Sequence, residues 1–107
     1  MSAVIVLSTF PADQDPGPLA RTLVEERLAA CVNVLPPMQS TYRWKGKVEH
    51  AAERQLVIKS TPGRAKALKA RLLELHPYDI PEVLILPVAS GSRDYLEWIA
   101  ASVRLPR

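Results

Sequence analysis

An α+β fold with one antiparallel sheet is the class predicted for this 107-residue chain, and three observations carry that expectation. Continuously apolar, β-branched runs stand near the two ends, Ala3-Val4-Ile5-Val6-Leu7 and Val83-Leu84-Ile85-Leu86. Two stretches with apolar residues at helical spacing each open on a proline. Between them lie two long extended runs that meet at Lys45-Gly46. The length is that of one domain, so residues 1–107 form a single domain with no linker and no internal repeat.

The first run, 3–7, has the composition of a strand covered on both faces. Asp15-Pro16 then reads as an N-cap followed by proline at the first helical position, where the missing N–H costs nothing. A helix over about 16–30 follows, with Leu19, Leu23, Val24 and Leu28 as its apolar stripe. Arg27 projects between Leu23 and Val24, its stem along the core edge or its guanidinium in an ion pair or anion contact.

Residues 32–44 and 47–59 read as two strands of a hairpin, with Lys45-Gly46 a two-residue connection that supplies a glycine for positive φ. Unbroken, such strands would reach ~40 Å, against a radius of gyration of ~13 Å for a domain of this length. The hairpin should therefore overhang the body. Pro36-Pro37 cannot sit in a central ladder, so a bulge or bend is expected there, and Ala51-Ala52 would mark a matching irregularity.

Thr61-Pro62 repeats the cap-plus-proline start, and Ala65, Leu68, Leu72 and Leu75 recur at helical spacing until His76-Pro77 stops the pattern. A last strand spans 82–88 and a third helix about 93–103. The order βαββαβ plus a C-terminal helix predicts a ferredoxin-like sandwich with two helices on one face and strand order 4-1-3-2. The fourth strand then lies at an edge while apolar on both sides, which invites pairing with another copy of the chain.

Composition narrows the function classes. No apolar run approaches the ~18–20 residues that span a bilayer, no secretory pattern opens the chain, and the single Cys31 cannot form an internal disulfide. A cytoplasmic protein without membrane association is expected. The net charge of +3 is spread along the chain, and the one cluster, Arg64, Lys66, Lys69 and Arg71, reads as a solvated helix face. Although the βαββαβ order is shared with RNA-recognition modules, the first strand has no aromatic residue and neither does Gln55-Leu56-Val57-Ile58-Lys59. Without a stacking platform, nucleic acid is not an expected partner.

Catalysis has little to work with. There is no nucleophile elbow, glycine-rich phosphate loop or His-Glu-x-x-His, and Cys31 ends an apolar stripe as a small hydrophobe. No enzyme activity and no required cofactor are expected. One Cys and two His cannot complete a closed four-ligand zinc site. A mixed or weak site could draw on His76, Asp79, Glu82, Glu49, His50 or Glu53, or be shared between subunits. Beside the ligand role for His76 stands a helix-capping one.

Several blocks together resemble a known family. Glu26-Arg27-Leu28-Ala29-Ala30-Cys31-Val32-Asn33, Tyr42-Arg43-Trp44-Lys45-Gly46-Lys47, Val57-Ile58-Lys59-Ser60-Thr61, His76-Pro77-Tyr78-Asp79-Ile80-Pro81-Glu82 with Leu86-Pro87-Val88, and Asp94-Tyr95-Leu96-Glu97-Trp98-Ile99 are similar to the CutA divalent-cation tolerance proteins. The resemblance implies a ferredoxin-like subunit in a homotrimer whose long hairpins pair with neighbours, similar to the trimeric PII signalling proteins. It also implies an association with tolerance of copper and other divalent cations. Some members carry Cys where this chain has Ser8 and a second His where it has Leu75, so of the implied metal ligands only His76 remains. The same blocks place Arg27, Tyr42, Trp44, Glu53, Lys59, Tyr78 and Glu82 as candidates for a cleft between subunits. Two further readings accompany the metal one: a PII-like trimer binding a small anionic molecule through Lys59 or Arg27, and an assembly scaffold without a small ligand.

Overall fold

The computed structural model describes residues 2–106; Met1 and Arg107, the two ends of the expected domain, lie outside the described residues. Five strands and three helices follow in the order β1 (Val4–Pro11), α1 (Gly17–Glu25), β2 (Cys31–Val34), β3 (Met38–Trp44), β4 (Lys47–Ser60), α2 (Pro62–Leu75), β5 (Leu84–Pro87) and α3 (Arg93–Ser102). All pairings are antiparallel, and the sheet runs β2-β4-β1-β5 with β3 on the outer half of β4. Counting β2 and β3 as two parts of the expected second strand, this is the 4-1-3-2 order.

The core forms where α1 and α2 cover one face of the sheet. Val4, Val6 and Phe10 of β1, Leu56 and Ile58 of β4, Leu19 and Leu23 of α1, and Leu68 and Leu72 of α2 make one buried cluster. Each fully buried Leu or Ile contributes roughly 1.5–3 kcal/mol relative to exposure. A smaller cluster seats α3 through Ile99 and Val103 against Ala3 and Ala30.

Proline and glycine act largely as expected. Pro36-Pro37 splits the long strand into β2 and β3, although the Leu35 N–H still reaches the Gln55 carbonyl at 3.0 Å. Lys45 and Gly46 take φ of 50° and 80°, the paired positive values of a type I′ turn whose twist matches the strands. Thr61 occupies the N-cap of α2 with Pro62 at its start, whereas α1 is capped by Pro16 itself. The Asp15 carboxylate instead accepts the Gly17 N–H at 2.9 Å. The hairpin makes the chain 47 Å long against 26 and 23 Å across.

Other expectations are corrected. Helix α1 stops at Glu25 rather than near residue 30, because Arg27 turns to φ 57° and the N–H groups of Leu28 and Ala29 both fold back onto the Leu23 carbonyl. Arg27 is thus not on a helical arc. No irregularity occurs at Ala51-Ala52, where the ladder pairs Ala51 with Ser40 and Ala52 with Gln39 without a break. Strand β1 is not covered equally on both faces: Val4, Val6, Ser8 and Phe10 are buried while Ile5, Leu7, Thr9 and Pro11 are half-covered. The fourth strand of the expected fold is shorter than 82–88, because β5 is held only by four residues of β1.

Candidate functional site

The site begins with the phase of β4. Leu56, Ile58 and Ser60 face the helices, so Glu53, Gln55, Val57 and Lys59 share the opposite, open face. At Glu53 the strand leaves the body and becomes the projecting hairpin. There the aromatic side of β3, the open face of β4 and the loop after α2 enclose a cleft of about 790 Å³. Met38, Ser40, Tyr42 and Trp44 line it from β3, Ala51, Glu53 and Gln55 from β4, Thr9 from β1, and the run Tyr78 to Glu82 from the loop.

Glu53 is 8% exposed, and the Tyr78 hydroxyl donates to its Oε2 at 2.8 Å. Burial pushes the Tyr78 phenol far up, and its bond to the Glu53 carboxylate adds to that, so Tyr78 is a neutral donor at any physiological pH. On the other side of the cleft the Gln55 side-chain amide donates to Glu82 Oε2 at 3.0 Å and to the Ser8 carbonyl at 2.9 Å. Among the described residues, ion pairs form at Arg21–Glu25, Arg71–Glu26, Arg71–Glu74 and Arg93–Glu97, all outside the cleft. Glu53, Asp79 and Glu82 therefore line one cavity with no cation paired to them.

His76 sits behind this wall, at the C-cap of α2, and is 8% exposed. Its Nε2 lies 2.7 Å from the Thr9 carbonyl, which can only accept, so Nε2 carries the proton. Nδ1 accepts the Tyr78 N–H at 3.1 Å. Burial holds its pKa below the usual 6.5, partly offset by the Thr9 carbonyl and the Glu53 carboxylate. The ring also stacks edge-on against Phe10 and obliquely against Tyr78, with centroids 5.5 and 4.9 Å apart. Both nitrogens are engaged within the chain; a metal could reach His76 only by displacing Thr9 or Tyr78.

Five of the seven expected cleft residues, Tyr42, Trp44, Glu53, Tyr78 and Glu82, meet in this one cavity. The other two do not. Lys59 shares the open face but lies six residues along β4 from Glu53, ~20 Å away, with its ammonium 5.6 Å from the Tyr95 ring centroid. Arg27 reaches the Arg104 carbonyl at 3.4 Å, outside the cleft. Glu49 and His50 stand exposed on the hairpin, where His50 Nδ1 meets the Thr41 hydroxyl at 3.0 Å. Thr9 and Gln55 belong to the cleft without having been singled out.

No group of three or more His, Cys, Asp or Glu side chains converges among the described residues in a way that could hold a metal ion. Cys31 is free and half-buried on β2. The donor set of one chain does not fit a resident metal.

A family model described as CutA1 divalent ion tolerance protein matches residues 4–102. The divalent-cation tolerance protein CutA of Pectobacterium atrosepticum is 49% identical over 102 residues, covering 95% of this chain and 93% of that one. The crystal structure of CutA from Xylella fastidiosa superposes with a TM-score of 0.91 at 42% identity, over 97% of this chain and 100% of that chain. A structure from Archaeoglobus fulgidus, described as a periplasmic divalent cation tolerance protein CutA, superposes at 0.90 with 28% identity, over 95% and 99%.

Proposed function

Because the chain belongs to the CutA1 divalent ion tolerance family, we propose that it is a non-enzymatic homotrimer that serves divalent-cation tolerance by weak, reversible cation contact in the cleft at the foot of the hairpin. The observation behind this reading is the set of three carboxylates, Glu53, Asp79 and Glu82, lining one cavity with no paired cation among the described residues. Oxygen donors of this kind suit hard cations; the thiolate and free imidazole that favour copper are not in the cleft. Copper contact is accordingly weak, and His76 acts behind the site by holding Tyr78, which in turn holds Glu53.

Calorimetric titration with copper tests this. Weak binding that Glu53→Gln and Glu82→Gln reduce is expected, and no binding at all would overturn the reading. His76→Ala leaves the three carboxylates in place. If that variant alone abolishes binding while the carboxylate variants do not change it, His76 returns as the ligand.

The trimer is supported by what one chain leaves uncovered. Leu84 is 54% exposed on an edge strand, Leu86, Ile5, Leu7 and Val57 continue the open face, and the hairpin projects beside it. Light scattering should return the mass of three chains; a monomer at micromolar concentration sinks the proposal. The non-enzymatic reading draws on the two imidazoles: His50 bonds Thr41 and His76 bonds Thr9 and Tyr78, so neither serves Cys31 as a base. No described helix is long and apolar enough to cross a membrane. We propose the cytoplasm as its compartment, a reducing setting in which the half-buried Cys31 thiol is kept, and cell fractionation tests that proposal.

A further inference from the structure

The turn that ends α1 holds an arginine where its own geometry favours glycine. The Leu28 N–H bonds the Leu23 carbonyl at 3.0 Å and the Arg27 N–H bonds the Val24 carbonyl at 3.1 Å, the two bonds of a Schellman cap with Arg27 at its left-handed position. Glycine takes this backbone without cost, and a residue with a Cβ does not. Capping does not explain the side chain either. The Thr22, Leu23 and Val24 carbonyls already accept backbone N–H groups, so the end of α1 needs no guanidinium.

The side chain of Arg27 is exposed and directed elsewhere: its Nη1 donates to the Arg104 carbonyl at 3.4 Å, just past α3. The Arg27 carbonyl in turn accepts the Arg64 Nε–H at 3.1 Å from the first turn of α2, and the Ser60 hydroxyl on the Leu28 carbonyl holds the two helix ends together. Arginines 27, 64 and 104 are thus drawn to one junction from three helix ends. The carboxylates beside it are already taken, Glu25 by Arg21 and Glu26 by Arg71 through bonds of 3.0 and 2.9 Å. Among the described residues, Arg27, Arg64 and Arg104 form no ion pair. The first turn of α2 has no acidic residue to offset its dipole.

Arg64 uses only its Nε–H on Arg27 and keeps both Nη groups, the fork that fits a phosphate. At 100° per residue Lys66 and Lys69 lie about 200° and 140° round α2 from Arg64, so the free charge at the junction is compact and suits a small anion rather than an extended polyanion. The junction is built from helix ends, not from the hairpin or the open sheet face through which the trimer reading joins the copies.

From this convergence we infer that the α1–α2 junction is a binding site for a small phosphate-bearing anion, held by the guanidinium groups of Arg27 and Arg64 with Arg104 adding to the local positive potential. It stands whether or not the cleft takes metal.

The test is calorimetric titration of the whole protein with sodium pyrophosphate in metal-free buffer, with sodium chloride at matched ionic strength as control. Saturable binding that weakens as salt is added is expected. Affinity should fall about tenfold in Arg64→Gln and similarly in Arg27→Gly. Arg21→Gln removes the same charge from an exposed ion pair on α1 and should change affinity by less than about twofold. Because glycine suits the left-handed turn, Arg27→Gly should unfold at or above the wild-type temperature, which separates lost affinity from lost folding. No saturation beyond the chloride control overturns the inference, as does an equal loss in Arg21→Gln, which would reduce the effect to net charge. Sedimentation with phosphatidylglycerol vesicles in the absence of saturable pyrophosphate binding overturns it in favour of a membrane surface.

Discussion

Strand β4 is a single 14-residue element with two unlike halves. From Glu53 to Ser60 it runs between β1 and β2, and Leu56, Ile58 and Ser60 are fully buried. From Lys47 to Ala52 it pairs only with β3 along most of its length, and nearly every side chain is exposed, Val48 at 60%. The inner half is fixed by burial, the outer half by a backbone ladder and a type I′ turn. The cleft lies at the boundary, where a buried carboxylate can still be reached from solvent.

The widest contrast between the halves should appear on truncating one apolar residue in each. Ile58→Ala removes a fully buried side chain and should cost about 2–5 kcal/mol in urea unfolding. Val48→Ala should stay within about 0.5 kcal/mol if the hairpin is bare. A cost for Val48→Ala above ~1 kcal/mol would instead show that this face of the outer half is covered in solution.

At the boundary, Tyr78→Phe deletes the hydroxyl that bonds Glu53 and leaves a nearly buried carboxylate with one fewer donor. A loss of about 1–3 kcal/mol is expected. Stability unchanged in this variant would mean that Glu53 is already well solvated and that the boundary is softer than described. Within the inner half, Ser8 is buried with no partner for its hydroxyl. Ser8→Ala should therefore be neutral or stabilising by up to ~1 kcal/mol, the opposite sign from the other inner-half change.

The last difference is one of slope. His76 has a native pKa below the 6.5 of an unfolded histidine because burial disfavours its charged form. The unfolded chain binds the extra proton first, so this contribution is fully present above pH 6.5 and is lost as pH falls through the lowered native value. Unfolding followed from neutral pH downward should show that decline, and His76→Gln should flatten it. A wild-type profile indistinguishable from that of His76→Gln would mean that the ring is not held neutral.

Much of the fold was legible because its signals are local. Pro62 after Thr61 starts α2, Gly46 completes the hairpin turn, Pro36-Pro37 interrupts the ladder, and apolar periodicity places the core residues of α1 and α2. The end of α1 was not legible, since no glycine marks it. The Ser60 hydroxyl on the Leu28 carbonyl at 2.7 Å and the Arg64 guanidinium on the Arg27 carbonyl at 3.1 Å bridge this turn to the far end of β4 and the start of α2. Such bonds join residues more than thirty positions apart, beyond any window of sequence pattern. The cleft was legible in its aromatic and acidic members, which stand in distinctive blocks. Gln55 and Thr9 were not, because their roles depend on the register of β1 against β4, and Lys59 shares the open face but stands farther along β4 than the cavity of one chain reaches.

The continuity of β4 has a mechanical consequence. Any load on Trp44 acts near the tip of the hairpin, and the ladder passes it to β4, whose other end is clamped between β1 and β2. Nothing along its 14 residues acts as a joint, since the Ala51-Ala52 segment stays in register and the Ala12 N–H ties its base to the Ala52 carbonyl at 3.1 Å. The projecting arm is thus a cantilever, stiff along its length, with Glu53 at its root where bending stress is greatest.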